Sequence, residues 1–274
     1  MSRVWSADHS RATGEFRRGL AVQFRVIGAL LMREVQTRYG RENIGFLWII
    51  GEPIIFTFGV VALWTLIPSG GRSGHGVPLV SFIVTGYVPL LLFRHIMSRA
   101  VVGLRSNSTL LYHRIVTPLD IHLSRFILEI AGSVLAFVLA CTLFVCLGMM
   151  NPPQDIHLLL MGWFYAIWFC TSLGLIVGAL SDVSELTERL YTPFSYLMIP
   201  ISGAFIMPAW LPADFRELLL YFPPANYAEM IRGGYLGASV QVFYHTWYLT
   251  KFCLVLTVIG LGIQPFTRKY IVHT

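Results

Sequence analysis

The sequence predicts an all-α integral membrane protein. It would have six transmembrane helices, an N-terminal amphipathic interfacial helix, and short re-entrant helices before the last span. Three observations predict this. Of 274 residues, 55% are hydrophobic and only 12% are charged, where a soluble domain carries about 25% charged residues. The apolar residues gather into runs of membrane length. The basic residues fall in alternate connections between those runs.

Each element follows in chain order. Residues 1–14 are polar. From Phe16, the apolar residues Leu20, Phe24, Ile27, Leu31 and Val35 recur every three or four positions, with Arg17, Arg18, Arg25 and Arg33 on other faces. That pattern suits a helix lying in the headgroup plane. A spanning helix needs about 20 apolar residues. Six segments qualify or nearly qualify: 44–67, 77–93, 126–150, 158–180, 191–207 and 247–266. The second and fifth are short and contain Pro89, Pro193 and Pro200, which predicts tilted or broken helices. Thr117-Pro118 ends the stretch before the third run, with Asp120 placed to cap the next helix. Between the last two runs, 213–222 and 225–236 read as two helices too short to span, bounded by prolines. The domain division is therefore 1–43, cytoplasmic with the amphipathic helix; 44–266, the transmembrane domain, with a long cytoplasmic connection 94–125 and an outer segment 208–246; and 267–274, a cytoplasmic tail.

Charge sets the orientation. Residues 1–43 hold eight arginines and 94–125 hold five, and Arg189, Arg268 and Lys269 join the same side. The opposite side carries Arg72, Arg216 and Arg232, while Lys251 lies just inside the sixth run. An asymmetry of 16 to 3 places both termini in the cytoplasm. The net charge of +6 then reflects topology and anionic headgroups. Basic residues scattered over loops argue against nucleic acid as a partner.

Several chemistries are excluded or weak. A phosphate-binding loop needs Gly-Lys followed by Ser or Thr, and Thr250 and Arg268 precede the two lysines, Lys251 and Lys269. Any ATPase, with its ATP and Mg, must be a separate polypeptide. Ser202-Gly203 lacks the glycine expected before an intramembrane protease serine, since Pro200 stands there. The histidines show no metal spacing. Cys141, Cys146, Cys170 and Cys253 all lie in runs, spaced for neither zinc nor disulfides, and read as packing residues. The N-terminus lacks the apolar core of a cleaved signal peptide. No internal repeat supports a secondary transporter of inverted halves.

What remains points to a path. Gly51-Glu52-Pro53 sits inside the first run, Glu52 about two turns in. An ionisable group there persists mainly where it faces protein or water, and a proline beside it opens the backbone ladder. Glu129 lies nearer the edge of its run and could snorkel. Aromatics are frequent in the runs, and rings stack on sugar faces while Tyr and Trp offer hydrogen bonds; interfacial belts use the same residues. The path candidates are Glu52, Trp48, Tyr87, Tyr165, Trp168 and Tyr196. At 100° per residue, Tyr165 and Trp168 lie about 60° apart and Trp163 about 200° from Tyr165, so Trp163 is assigned to the interface. Gly174 and Gly178 form a small-xxx-small helix face.

The stretch 33–53, REVQTRYGRENIGFLWIIGEP, resembles the permeases of the ABC-2 exporter class. It is most similar to the inner-membrane permeases of Gram-negative capsule polysaccharide exporters. The outer segment 223–237, PPANYAEMIRGGYLG, resembles that family's Asn-Pro…Glu…Arg signature; Pro-Pro-Ala-Asn replaces the plain Asn-Pro, while Glu229 and Arg232 are in place. The resemblance implies a type V exporter-like fold and a homodimeric permease, itself no enzyme, in the bacterial inner membrane. Two ABC ATPase subunits would drive it, and its substrate would be a lipid-linked capsular polysaccharide. It also implies a periplasmic co-polymerase-type partner and an outer-membrane polysaccharide channel. Coupling to the ATPase would use the N-terminal helix and Leu104, Arg105, Leu110, Leu111, Tyr112 and Arg114. Glu229 and Arg232 would belong to an outer gate. Exporters of O-antigen, teichoic acid or drugs remain open alternatives, as does a channel or secondary transporter without an ATPase.

Overall fold

The computed structural model describes residues 19, 21–37, 44–66, 77–102 and 116–273, without the side chains of 44–50, 64–66, 185 and 266–273. Among the described residues there are helices and turns but no strand. The six coupling residues, at 104, 105, 110, 111, 112 and 114, lie outside them, as does the side chain of Trp48.

Helix α1 covers 21–37. Its half-buried stripe runs through Gln23, Ile27, Leu31 and Glu34, and Phe24 points outward at 74% exposure. Gln23 donates to Asp120 at 3.1 Å, and Glu34 faces Arg125 at 3.7 Å, so α1 is tied to the start of α4. Helix α2 is Ile44–Leu66, with Pro53 inside it. The Thr57 hydroxyl donates to the Pro53 carbonyl at 2.7 Å.

Helix α3, Leu79–Val101, is the centre of the bundle and is buried along nearly its whole length. It is neither short nor broken, because Pro89 is absorbed within 23 helical residues. By hydropathy the second run ends at Phe93, because Arg94, His95 and Arg99 interrupt it; the helix continues through them. The connection after it therefore starts eight residues later than 94. Helix α4, Pro118–Cys146, likewise starts eight residues before the apolar run does. Thr117 is its N-cap in a capping box with Asp120, the reciprocal arrangement that satisfies two orphan N–H groups.

Helix α5, Ile156–Val183, is capped by Asp155, which accepts from Leu158 N–H at 3.0 Å. Ser184 alone separates it from α6, Glu185–Ile201, which contains Pro193 and Pro200. A 3-10 turn, Pro208–Trp210, leads to α7, Ala213–Leu220, and α8, Pro223–Leu236. Prolines fill the first turn of α8, where a missing N–H costs nothing. Helix α9, Thr246–His273, closes the chain.

Among the described residues, four helical segments are long and apolar enough to cross a membrane: Leu79–Val101, Pro118–Cys146, Ile156–Val183 and Thr246–Pro265. The apolar part of α2 whose side chains are described, Gly51–Leu63, is shorter. Helix α6 has 17 residues.

The two short helices before α9 exist where proline boundaries predict them, and α8 packs inside the bundle. All 14 of its residues are buried, wedged against α5 and α3. The approach is close: a Cβ added to Gly234 would lie 2.3 Å from the Leu159 backbone nitrogen. The small face of α5 is used too, with Gly174 beneath Ile96 and Phe126 and Gly178 beneath His122.

Candidate functional site

Connectivity gives the bundle two ends. One carries the α3–α4 connection and the start of α6; the other carries the α4–α5 connection, α7 and the start of α9.

Toward the α3–α4 end, three helices bring ionisable groups together. Glu52 of α2 faces His95 of α3, Oε2 to Nε2 at 3.7 Å. The other ring nitrogen of His95 faces Glu129 of α4 at 3.8 Å. Arg99, one turn after His95, donates to Glu129 at 2.9 Å. The result is an alternating row of Glu52, His95, Glu129 and Arg99 across α2, α3 and α4. Glu129 is sealed, with 5% of its side chain exposed, while Glu52 keeps 29%.

Glu52 stays partly wet because it borders a cavity of about 250 Å³ between α2, α3 and α6. Arg94, His95 and Ser98 line it from α3, and Tyr191, Thr192, Ser195 and Tyr196 line it from α6. The Tyr191 hydroxyl donates to the Arg94 carbonyl at 3.0 Å, which holds α6 to α3. A carboxylate within a helix bundle is costly unless paired or open to water; Glu52 faces His95 and opens onto the cavity. One cation, one carboxylate, an imidazole and several hydroxyls can hold a polar, hydroxyl-bearing group by many weak bonds.

The other path candidates with described side chains divide. Tyr196 lines the cavity and is 62% exposed. Tyr87 does not reach it: the ring is 8% exposed and stacked on Phe56 at 3.8 Å. Tyr165 and Trp168 share one face of α5, rings 6.2 Å apart and 14° from parallel, as helical geometry requires. That face is covered by α9. The Tyr165 hydroxyl pairs with Thr250 at 2.8 Å, and Trp168 donates to Thr257 at 2.9 Å. Trp163 is not at an interface but in the core, 6% exposed and edge-on to Phe137 at 5.1 Å.

Glu229 and Arg232 form a second charged site toward the α4–α5 end. Both side chains have 0% exposure and meet at 2.6 Å. Arg232 also donates to the carbonyls of Gly203 and Ala204 at 2.9 and 3.3 Å, and lies 4.7 Å above the Phe82 ring. Glu229 accepts from Phe243 N–H at 3.3 Å. Burial pushes the Glu229 carboxyl above its ordinary range, and Arg232 opposes the shift. Asn226 donates to the Leu220 carbonyl at 2.6 Å and accepts from His245 N–H at 2.7 Å. The pair thus clamps α8, the turn after α6 and the 240–245 strand-like segment together. As placed, it is sealed rather than presented on a surface.

Sequence reasoning missed His95, Arg94, Tyr191 and Ser195 as site residues. A signal was available for His95: with Arg99 it makes an i, i+4 pair that continues the α3 face beyond the apolar run.

This arrangement defines a class: a polytopic helical membrane protein that keeps ionisable groups within its helix packing. Residues 25–235 match the family described as ABC-2 type transporter, and the chain belongs to it. The chain is 39% identical over 254 residues to the capsule polysaccharide export inner-membrane protein CtrC of Neisseria meningitidis serogroup B, covering 92% of this chain and 95% of the relative. It is 37% identical over 258 residues to the capsule polysaccharide export inner-membrane protein BexB of Haemophilus influenzae, covering 91% and 97%. The polysialic acid transport protein KpsM of Escherichia coli is 26% identical over 258 residues, covering 90% and 95%.

Proposed function

We propose that this chain is the membrane permease subunit of an ATP-driven exporter that moves a lipid-linked capsular polysaccharide from the cytoplasm to the periplasm. The observation that carries this is identity of 37–39% along more than nine-tenths of the chain to inner-membrane proteins named for capsule polysaccharide export. In this reading the chain spans the inner membrane six times, with α2 and α6 as the two spans beyond α3, α4, α5 and α9. Both termini are cytoplasmic, as the 16-to-3 basic asymmetry requires. The divisions 1–43, 44–266 and 267–274 stand as proposed domains.

The chain has no Gly-Lys nucleotide loop, so ATP and Mg bind a separate ABC ATPase. One permease is a thin wall, and a path wide enough for a polymer is more easily made between two copies served by two ATPases. A periplasmic co-polymerase-type protein and an outer-membrane channel would carry the polymer onward. ATPase motion would enter through α1 and the connection holding Leu104, Arg105, Leu110, Leu111, Tyr112 and Arg114. The Gln23–Asp120 and Glu34–Arg125 contacts give α1 a grip on α4. ATP biases the transport cycle only through its differential affinity for the two states. The polymer would meet the Glu52 cavity on the cytoplasmic side, with Trp48 a further path residue, and Tyr87, Tyr165 and Trp168 would meet it only if their helices separate during the cycle. Glu229 and Arg232 would hold the outer gate in shape.

The test is genetic and biochemical. Deletion of the gene should abolish surface capsule and leave polymer inside the cell. The tagged permease should copurify with the neighbouring ATPase. Arg105→Glu, Arg114→Glu or Leu111→Asp should weaken that copurification and lower export at equal membrane abundance. Capsule output unaffected by the deletion would reject the function; intact copurification and export in all three variants would reject the coupling surface.

A further inference from the structure

A concavity of about 560 Å³ opens at the α4–α5 end, between α7, the 240–245 segment and the first turn of α9. It is the opposite end of the bundle from Glu52, and the path residues discussed above do not line it. Its walls are Tyr221, Tyr244, Trp247 and Tyr248, with Glu217 and His245 at the edge. The volume lies within the ~300–1,000 Å³ range of small-ligand sites.

The rings are held open. Trp247 is 73% exposed and Tyr221 is 66% exposed. The Tyr248 hydroxyl donates to the Tyr221 carbonyl at 2.7 Å, and the two rings meet edge to face, 6.1 Å apart. That contact fixes the Tyr221 backbone and leaves its ring outward. Glu217 and His245 are 3.4 Å apart, and each keeps more than half its side chain exposed. The wall behind them is anchored: His245 N–H donates to buried Asn226 and Phe243 N–H to buried Glu229. The cleft is therefore supported by the sealed clamp.

We infer that this cleft is a saccharide-binding subsite on the outer face, where one sugar ring of the emerging polymer stacks on Trp247 and Tyr221 and gives its hydroxyls to Glu217 and His245. The inference rests on the export reading above and adds a place to it. A pyranose has an apolar C–H face and a polar hydroxyl edge, matching exposed rings beside a carboxylate and an imidazole. Glu217 accepts hydroxyl protons, and His245 can donate or accept. The Lys251 ammonium lies 5.2 Å from the centroid of the Trp247 ring, which leaves the other ring face for the sugar. Aromatics of an interfacial belt meet lipid one by one, whereas these rings and the ionic pair surround one concavity. Ring contacts are individually weak, so they can steady a moving chain without trapping it.

The test uses the full chain in lipid nanodiscs and saturation-transfer NMR. The probes are maltohexaose and capsule fragments of about six sugars prepared from cells that carry this chain. The expected result is saturation strongest on the ring protons of the apolar sugar face, with binding weakened about tenfold by Trp247→Ala, the scale of one aromatic stack. Tyr221→Ala and Glu217→Gln should weaken it less. Because Trp247 and Tyr221 are exposed, these variants should elute from size exclusion as the wild type does. Saturation that is absent, spread evenly over the sugar or unchanged in the Trp247→Ala/Tyr221→Ala double variant overturns the subsite. So does transfer to soluble glycerophosphocholine but to neither saccharide, which identifies a lipid-belt site. Failure of the export reading would be seen separately, as surface capsule persisting in the gene deletion. Capsule lost in the deletion but normal in the double variant would keep that reading and remove the cleft from the route.

Discussion

Two of the charged clusters in this bundle are built in opposite ways. Glu229 and Arg232 have no exposed side-chain surface and meet at 2.6 Å. Glu52 and His95 are nearly a third exposed, meet at 3.7 Å and border a cavity. Two buried charges are costly to desolvate, and their attraction compensates only with good geometry and further hydrogen bonds. Arg232 has those in the Gly203 and Ala204 carbonyls, and Glu229 in Phe243 N–H. That network cannot exchange partners cheaply, so it serves shape. The Glu52 row has slack, an open cavity and hydroxyls beside it, so it can respond to a passing polar group. Charge inside a membrane protein therefore does not by itself identify a path; the degree of sealing separates a clamp from a site.

The comparison breaks most visibly at the sealed pair. Arg232→Ala or Glu229→Ala leaves an uncompensated buried charge, an expected loss of about 3–5 kcal/mol. Both variants should show low membrane abundance and aggregated peaks in fluorescence-detected size exclusion. The double replacement Glu229→Met/Arg232→Met should recover part of the loss, because the two effects are coupled. Normal abundance of either single variant would contradict the clamp.

Trp163 sharpens the contrast next. It packs on Phe137 in the core, so Trp163→Ala should cost about 3–5 kcal/mol through the cavity it leaves. Thermal unfolding in detergent should detect this, and export should fall only in proportion to folded protein. At the α5–α9 seam the effect is smaller. Tyr165→Phe removes the hydroxyl paired with Thr250, a loss of about 0.5–1.5 kcal/mol, readable in the same melt.

Much of this was legible in the sequence. The Thr117/Asp120 cap, the short helices before α9 and the shared face of Tyr165 and Trp168 follow from local rules of capping, proline boundaries and helical period. Glu52 stood out because a carboxylate in an apolar run is rare. What was not legible depends on neighbours. His95 looked like the start of a loop because hydropathy averages over a run and cannot see Glu52 and Glu129 arriving from other helices. Tyr87 and Trp163 have the same composition as path residues, and only packing on Phe56 and Phe137 puts them in the core. The burial of α8 depends on the groove that Gly162 and its neighbours leave on α5, which no pattern within α8 reveals.

The smallest expected effect on folding carries the largest consequence for function. Partly exposed ion pairs contribute less than about 1 kcal/mol, so Glu52→Gln should leave abundance, melting and ATPase copurification near wild type. The central claim, that the wet cluster handles the polymer while the sealed one holds the fold, is tested most directly by capsule export per permease molecule in Glu52→Gln cells. Surface capsule and permease would be quantified in the same membranes. The account predicts a severalfold fall in surface capsule per permease, with polymer accumulating in the cytoplasm. Wild-type export per molecule in Glu52→Gln, or a loss explained wholly by reduced abundance, would contradict it.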